Sequence, residues 1–254
     1  MITFDNERGI FKLDTENSSY LIALNNNILY HLYWGKRVSG IRRAAEDMFS
    51  LKGTSFSALD DGVKWGRSAD VMPMEYPTYG SPDLRTPAMH LRYANGSSAT
   101  ALRYSSHSIV RGKPGLPGLP ATYAEQGDRV ETLSITLTDK FSNVDVILNY
   151  SVWYDYNAIA RSTVIKNKGS EPVFVLSANS VCFDITDSEG LEMLNLYGAW
   201  GRERTVERLP LRHGIQIVDS KRGASSHSEN PFLALLSKNS DELTGDVYGI
   251  NLVF

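Results

Sequence analysis

The sequence predicts an all-β fold, a large antiparallel β-sandwich with little helix. Apolar and polar residues alternate with period two over several long stretches. Helical periodicity is nearly absent. Turn residues recur roughly every 8 to 15 positions, the rhythm of short strands joined by tight connections. At 254 residues, with 42% hydrophobic and 10% aromatic side chains, the chain has the apolar content for a core of that size.

The elements follow in order. Tyr20 to Leu24 and Ile28 to Trp34 flank Asn25-Asn26-Asn27, and asparagine tolerates positive φ, so this reads as a hairpin. Asn95-Gly96 predicts a second hairpin, between Leu91–Tyr93 and Ala101–Tyr104. Val130 to Leu137 alternates cleanly. So does Val144 to Val152, with Val144, Val146, Leu148, Tyr150 and Val152 on one side. Pro172 to Phe183, Phe232 to Leu236 and Gly245 to Phe254 are further strand-like runs. The one helical candidate, Ile41 to Phe49, is short.

Two stretches are loops by composition. Residues 53–70 are polar and rich in Gly, Ser and Asp, with a single Trp65. Residues 112–120 hold overlapping Pro-x-x-Pro spacings, and the flanking strand patterns make them a surface crossover rather than a ligand for a peptide-binding module.

A net charge of −3, with no long lysine or arginine block, argues against a nucleic-acid partner. No run of about 18 apolar residues exists to cross a membrane, and the N-terminal residues lack the apolar region of a secretory signal. One cysteine, Cys182, excludes an internal disulfide. A soluble cytoplasmic protein is the expectation.

Catalytic signatures are sparse. The five histidines, His31, His90, His107, His213 and His227, show no i,i+2 or i,i+4 pairing, so no metal site is expected. No phosphate-binding glycine loop and no nucleophile elbow occur, and no cofactor is implied. Asp60-Asp61 sit side by side in a glycine-rich loop. A glycosidase needs two carboxyls facing each other across a sugar, and adjacent aspartates more simply form a solvated turn. No catalytic residue is assigned. Asp83 and Arg85 are expected to form an ion pair that pins a loop. Among the tryptophans, Trp34 and Trp153 lie in strand patterns and read as core. Trp65 has little apolar sequence around it, and is either a sugar-stacking contact or a local plug.

The most unusual stretch is Gly198 to Phe232. It packs Trp200, Arg202, Arg204, Arg208, Arg222, His227 and Asn230 with Glu203, Glu207, Ser225 and Ser226 into one block. Tryptophan and arginine are the residue types enriched in interfaces, so the block reads as a surface made to be covered by a ligand or by another domain.

Three segments resemble the N-terminal domain of bacterial α-galactosidases of glycoside hydrolase family 36. They are Glu75-Tyr76-Pro77 with Gly80 and Asp83 to Ala88; Gly112-Lys113-Pro114 with Gly118 to Tyr123; and Gly198 to Arg204 with Arg222 to His227 and Asn230-Pro231-Phe232. Tyr33 to Lys36 and Gly245 to Phe254 fit as well, so the resemblance spans essentially the whole chain. It implies a galactose-mutarotase-like β-supersandwich over residues 1–254, a single N-terminal domain. A catalytic (β/α)₈ barrel is then expected after residue 254, where both catalytic aspartates would lie. It further implies an accessory role in a retaining enzyme acting on terminal α-galactosides such as melibiose or raffinose-type sugars, and a homo-oligomer. Trp200, Arg202, Arg204, Arg222, His227 and Asn230 would face the barrel, and Trp65 would contact substrate in a neighbouring subunit. The sequence departs from the family at Leu84, where Phe is usual. It departs again at Gly53-Thr54, or Thr54-Ser55 in the alignment shifted by one, and at Trp65, where relatives carry charged residues. A stand-alone carbohydrate-binding module and an oligomerisation module are the competing readings.

Overall fold

The computed structural model describes residues 1–40, 72–81, 85–118, 120–185, 188–223, 225 and 227–253. Among them there are fourteen β-strands and no helix. The helical candidate at 41–49 and the 53–70 loop with Trp65 lie outside the described residues. The chain divides into two compact units. One comprises Met1–Pro114 and Tyr123–Ile185, the other Gly115–Thr122 and Thr186–Phe254.

The first unit begins with a meander of β1 (Ile2–Asp5), β2 (Ile10–Asp14), β3 (Ser18–Asn25) and β4 (Ile28–Lys36), each paired antiparallel with the next. The β3–β4 hairpin is the predicted one. Asn26 and Asn27 take φ of 51° and 59°, the left-handed values that a two-residue turn between twisted strands requires. A second meander joins β6 (Arg103–Arg111), β7 (Val130–Asp139), β8 (Val144–Trp153) and β9 (Ala158–Asn167).

The two meanders bury facing sides. Phe11, Leu13, Tyr20 and Ile22 from the first and Leu133, Ile135, Val146, Leu148, Tyr150 and Val152 from the second form one core. Every residue expected on the inward side of Val144–Val152 is at most 1% exposed. The other side of that meander is polar and laddered. Thr132 pairs with Ser151 at 2.8 Å, Ser134 with Asn149 at 2.7 Å, and Thr138 with Asp145 at 2.7 Å. The first meander is buried on both sides, because Leu21, Ala23, Ile28, Tyr30 and Leu32 pack under Met72 and Met74. This explains why β3 reads as a nearly continuous apolar run rather than an alternation.

Two sequence expectations need correction. The Asn95-Gly96 turn forms, with Gly96 at φ +83° and its N–H donating to Tyr93 O at 2.9 Å. It does not make a hairpin between Leu91–Tyr93 and Ala101–Tyr104. Instead β5 (Met89–Tyr93) pairs with β10 (Val173–Ala178), while Tyr104 lies in β6 and pairs with β7. Met89 and Leu91 belong to the main core, and the strand that aligns them there is the distant β10. Of the predicted run Pro172–Phe183, only Val173–Ala178 is strand.

The second unit holds one sheet in the order β12 (Arg202–Pro210), β11 (Leu191–Ala199), β13 (Glu229–Ser237), β14 (Val247–Asn251). Leu191, Met193, Ala234 and Leu236 are its buried apolar residues. Arg208 clamps one end. Its guanidinium donates to Ser237 O (3.0 Å), Lys238 O (2.6 Å) and Ser240 O (2.8 Å), and pairs with Glu192.

Candidate functional site

The Trp/Arg block forms the end of the β11–β12 hairpin and the strand beside it. Trp200 and Gly201 make the tip. The hairpin closes tightly, because a Cβ on Gly198 would lie 2.4 Å from Arg202 O and only glycine leaves room for that crossing. The pairing is irregular between Tyr197 and Ala199, and Arg204 absorbs the irregularity at φ +59°, unusual for a side chain of its size. Gly198 N–H donates to Ser228 O at 3.1 Å and Tyr197 pairs with Glu229, which brings the segment after residue 227 alongside the hairpin end.

Trp200 is 89% exposed. Arg202, Arg204 and His227 are exposed and Asn230, on β13, is half-buried. Glu203 accepts from Gly201 N–H at 2.9 Å, and this bond, helped by the charge of His227, holds its carboxyl below the usual range. The structure thus brings Trp200, Arg202, Arg204, His227 and Asn230 to one end of one sheet. Arg222 is exposed in the turn at 219–223, where its backbone N–H donates to Ser220 Oγ at 3.3 Å. Among the described residues no contact joins its guanidinium to the hairpin. Arg208, from the same block, is the clamp described above and not part of this surface.

Sequence reasoning missed a second constellation, in the first unit. Glu75, on the irregular segment 72–81, is fully buried and reaches four strands. Tyr20 Oη on β3 donates to its two carboxylate oxygens at 2.8 and 3.0 Å, and Tyr150 Oη on β8 donates at 2.8 Å. Arg161 Nη1 on β9 lies 3.0 Å away, and His31 Nδ1 on β4 lies 3.3 Å away without hydrogen-bond alignment. Arg161 also donates to both tyrosine hydroxyls, at 3.0 and 3.2 Å, and lies 4.1 Å over the Tyr150 ring. Burial opposes charge on Glu75, but Arg161, His31 and Tyr150 outweigh it and hold the carboxyl below its ordinary range. Burial and the Glu75 charge push both tyrosines well above theirs. The available signal was a carboxylate inside the apolar run Met72 to Tyr76 and an arginine within the alternating strand Ala158 to Ile165.

The other buried carboxylates are also engaged. Asp14 takes Lys12 and Ser19, both at 2.7 Å. Asp139 caps the β7–β8 turn through Phe141 N–H at 3.0 Å and Ser142 Oγ at 2.8 Å. Arg85 reaches Met72 O at 2.6 Å and Asp184 at 3.3 Å, while its expected partner Asp83 lies outside the described residues. Trp65, Asp60 and Asp61 also lie outside them. Trp153 is buried as expected, and Trp34 is half-buried against the core.

The class is thus an antiparallel β-sandwich protein whose buried carboxylates serve the fold and whose β11–β12 hairpin end presents Trp200, Arg202 and Arg204 to the outside. The chain belongs to the glycosyl hydrolase family 36 N-terminal domain family, whose model matches residues 27–254. It is 41% identical over its whole length to α-galactosidase AgaA of Geobacillus stearothermophilus, covering 34% of that protein. It is 35% identical to α-galactosidase Mel36A of Lactobacillus acidophilus, covering 100% of this chain and 35% of that protein. The solved structure of α-galactosidase AgaB of G. stearothermophilus superposes with a TM-score of 0.91 at 42% identity, covering 98% of this chain and 34% of that one. A structure of an AgaA variant in complex with raffinose matches at 0.89 and 43%, covering 94% and 33%. The chain therefore spans about a third of the length of these relatives.

Proposed function

We propose that this chain is the accessory N-terminal β-supersandwich of an intracellular α-galactosidase. The remainder of the enzyme would carry a (β/α)₈ barrel with the nucleophile and the general acid. It would cleave terminal α-galactosides of the melibiose and raffinose type through a covalent galactosyl intermediate, with net retention and no cofactor. The carrying observation is the alignment of the entire chain, at 41% identity, with about a third of an α-galactosidase, within a family defined as an N-terminal domain.

The hairpin end supports a docking role. Trp200 at 89% exposure, with Arg202, Arg204 and His227 exposed and Asn230 half-buried, is the composition of an interface core and rim waiting for a partner. That partner is the enzyme's own barrel, in a homo-oligomeric protein.

The test compares the full-length enzyme with the 254-residue chain on an aryl α-galactoside. The full-length enzyme should turn it over and release α-galactose as the first product, seen by proton NMR. The chain alone should not exceed the buffer rate. Turnover by the chain that disappears on mutating Asp60 or Asp61 overturns this reading.

A further inference from the structure

The β5–β10 ribbon carries an outward side that neither the core nor the docking hairpin uses. Residues paired directly across two antiparallel strands project to the same side. Val173 with Tyr93 and Val175 with Leu91 therefore share the other side, where Val173, Tyr93 and Leu91 belong to the core and Val175, at the bulge, is 54% exposed. Arg92 with Phe174 and His90 with Ser177 point outward.

Tyr79 joins this outer side. Its backbone is fixed by Tyr79 N–H donating to Met89 O at 2.9 Å and by Thr100 N–H donating to Tyr79 O at 3.2 Å. Its ring stacks on His90 at 4.0 Å between centroids and 16° between planes. The Arg92 guanidinium lies 5.0 Å over the Phe174 ring. Each aromatic ring thus has one face covered by its partner, yet Tyr79 and Phe174 are both still 48% exposed.

Among the described residues, the Tyr79 hydroxyl, the His90 ring nitrogens, the Arg92 guanidinium and the Ser177 hydroxyl make no hydrogen bond. No carboxylate occurs among the five side chains. The surface is a row of donors between two rings set by residues two apart on one strand, about 7 Å by strand rise. It complements a ligand rich in oxygen lone pairs that also presents apolar C–H faces.

We infer that Tyr79, His90, Arg92, Phe174 and Ser177 form a saccharide-binding platform on the outer side of the β5–β10 ribbon. Tyr79 and Phe174 stack on neighbouring sugar rings. Arg92, His90 and Ser177 donate to ring hydroxyls, and the chain's own backbone holds both rings in place before the sugar arrives. The choice of a galactose-containing oligosaccharide as ligand rests on the proposed function, but the platform does not. Hydrolysis of an aryl α-galactoside tests that function, and sugar binding by this chain tests the platform, so either can fail alone.

The test is NMR titration of the chain with stachyose. Amide shifts should concentrate in β5, β10 and Tyr79, with a dissociation constant on the order of millimolar. Phe174→Leu keeps an apolar side chain and removes the ring. It should weaken binding about fivefold while the melting temperature holds, and Tyr79→Leu should do the same. Four results overturn the platform: no shifts at about 20 mM sugar, well above a millimolar dissociation constant; unchanged affinity in both variants; shifts produced by sodium sulfate but not by stachyose; or protection of these amides in sugar-free full-length enzyme, which marks a protein contact instead.

Discussion

The Glu75 carboxylate and the Arg161 guanidinium lie 3.0 Å apart with both side chains at least nine-tenths removed from water. Glu75 comes from an irregular segment and Arg161 from β9, so the pair joins a loop to the sandwich. Taking two charges out of water costs several kcal/mol, and here the offset comes from saturation: two tyrosine hydroxyls donate to the carboxylate and accept from the guanidinium.

The first prediction follows from that asymmetry. Arg161→Met leaves a buried carboxylate without its counter-charge and should cost about 3–5 kcal/mol in urea unfolding. The double variant Glu75→Gln/Arg161→Met should recover a substantial part of the loss, because neither charge is then stranded. A loss below about 1 kcal/mol for Arg161→Met would show that the network relaxes freely or admits water.

Acid sensitivity follows from the same carboxyl. The folded pKa of Glu75 is depressed by Arg161, His31 and Tyr150 against the cost of burial. A depressed folded pKa contributes stability that is fully present above the unfolded value of about 4.3 and is lost as pH falls through the folded one. Stability should therefore be level above about pH 5.5 and fall below about pH 4. In Glu75→Gln the acid slope should be shallower by up to about one proton. An unchanged slope would assign the acid transition to the exposed pairs instead.

Cys182 should be inert in the native protein. Burial first, then the charges of Glu75 and Asp184, push its thiol up to about 12. At pH 8 a disulfide reagent should label it at least about a hundredfold more slowly than in urea, since the thiolate is the reactive form. Equal rates would place the thiol in solvent.

Gly198→Ala should open the hairpin end. Its new Cβ would meet backbone, Arg202 O at 2.4 Å, rather than a side chain able to swing away. We expect a loss of about 2 kcal/mol or more, with a shift of the Trp200 indole proton. A fully stable variant with an unmoved indole signal would show that the hairpin closes another way.

The meanders were legible because their signals are local. Asn26-Asn27 sets a turn, and Val144 to Val152 places every second side chain in the core. The β5–β10 pairing was not legible, since nothing near Asn95-Gly96 announces a partner at Val173–Ala178. The hairpin residues Trp200, Arg202 and Arg204 were found by composition, and their exposure could not be read from it. Nothing near Glu75 in sequence marks it as the centre of a buried network. Its partners Tyr20, His31, Tyr150 and Arg161 come together only after two sheets have formed.

That one long-range pairing orders the birth of the molecule. Both meanders of the first unit link strands that are neighbours in sequence, so each can form as its hairpins leave the ribosome. β5 cannot. It has no pairing strand while β6 to β9 are synthesised, until Val173–Ala178 arrives. A pause in that interval would leave the β5 backbone edge unpaired until the next stretch of chain is translated.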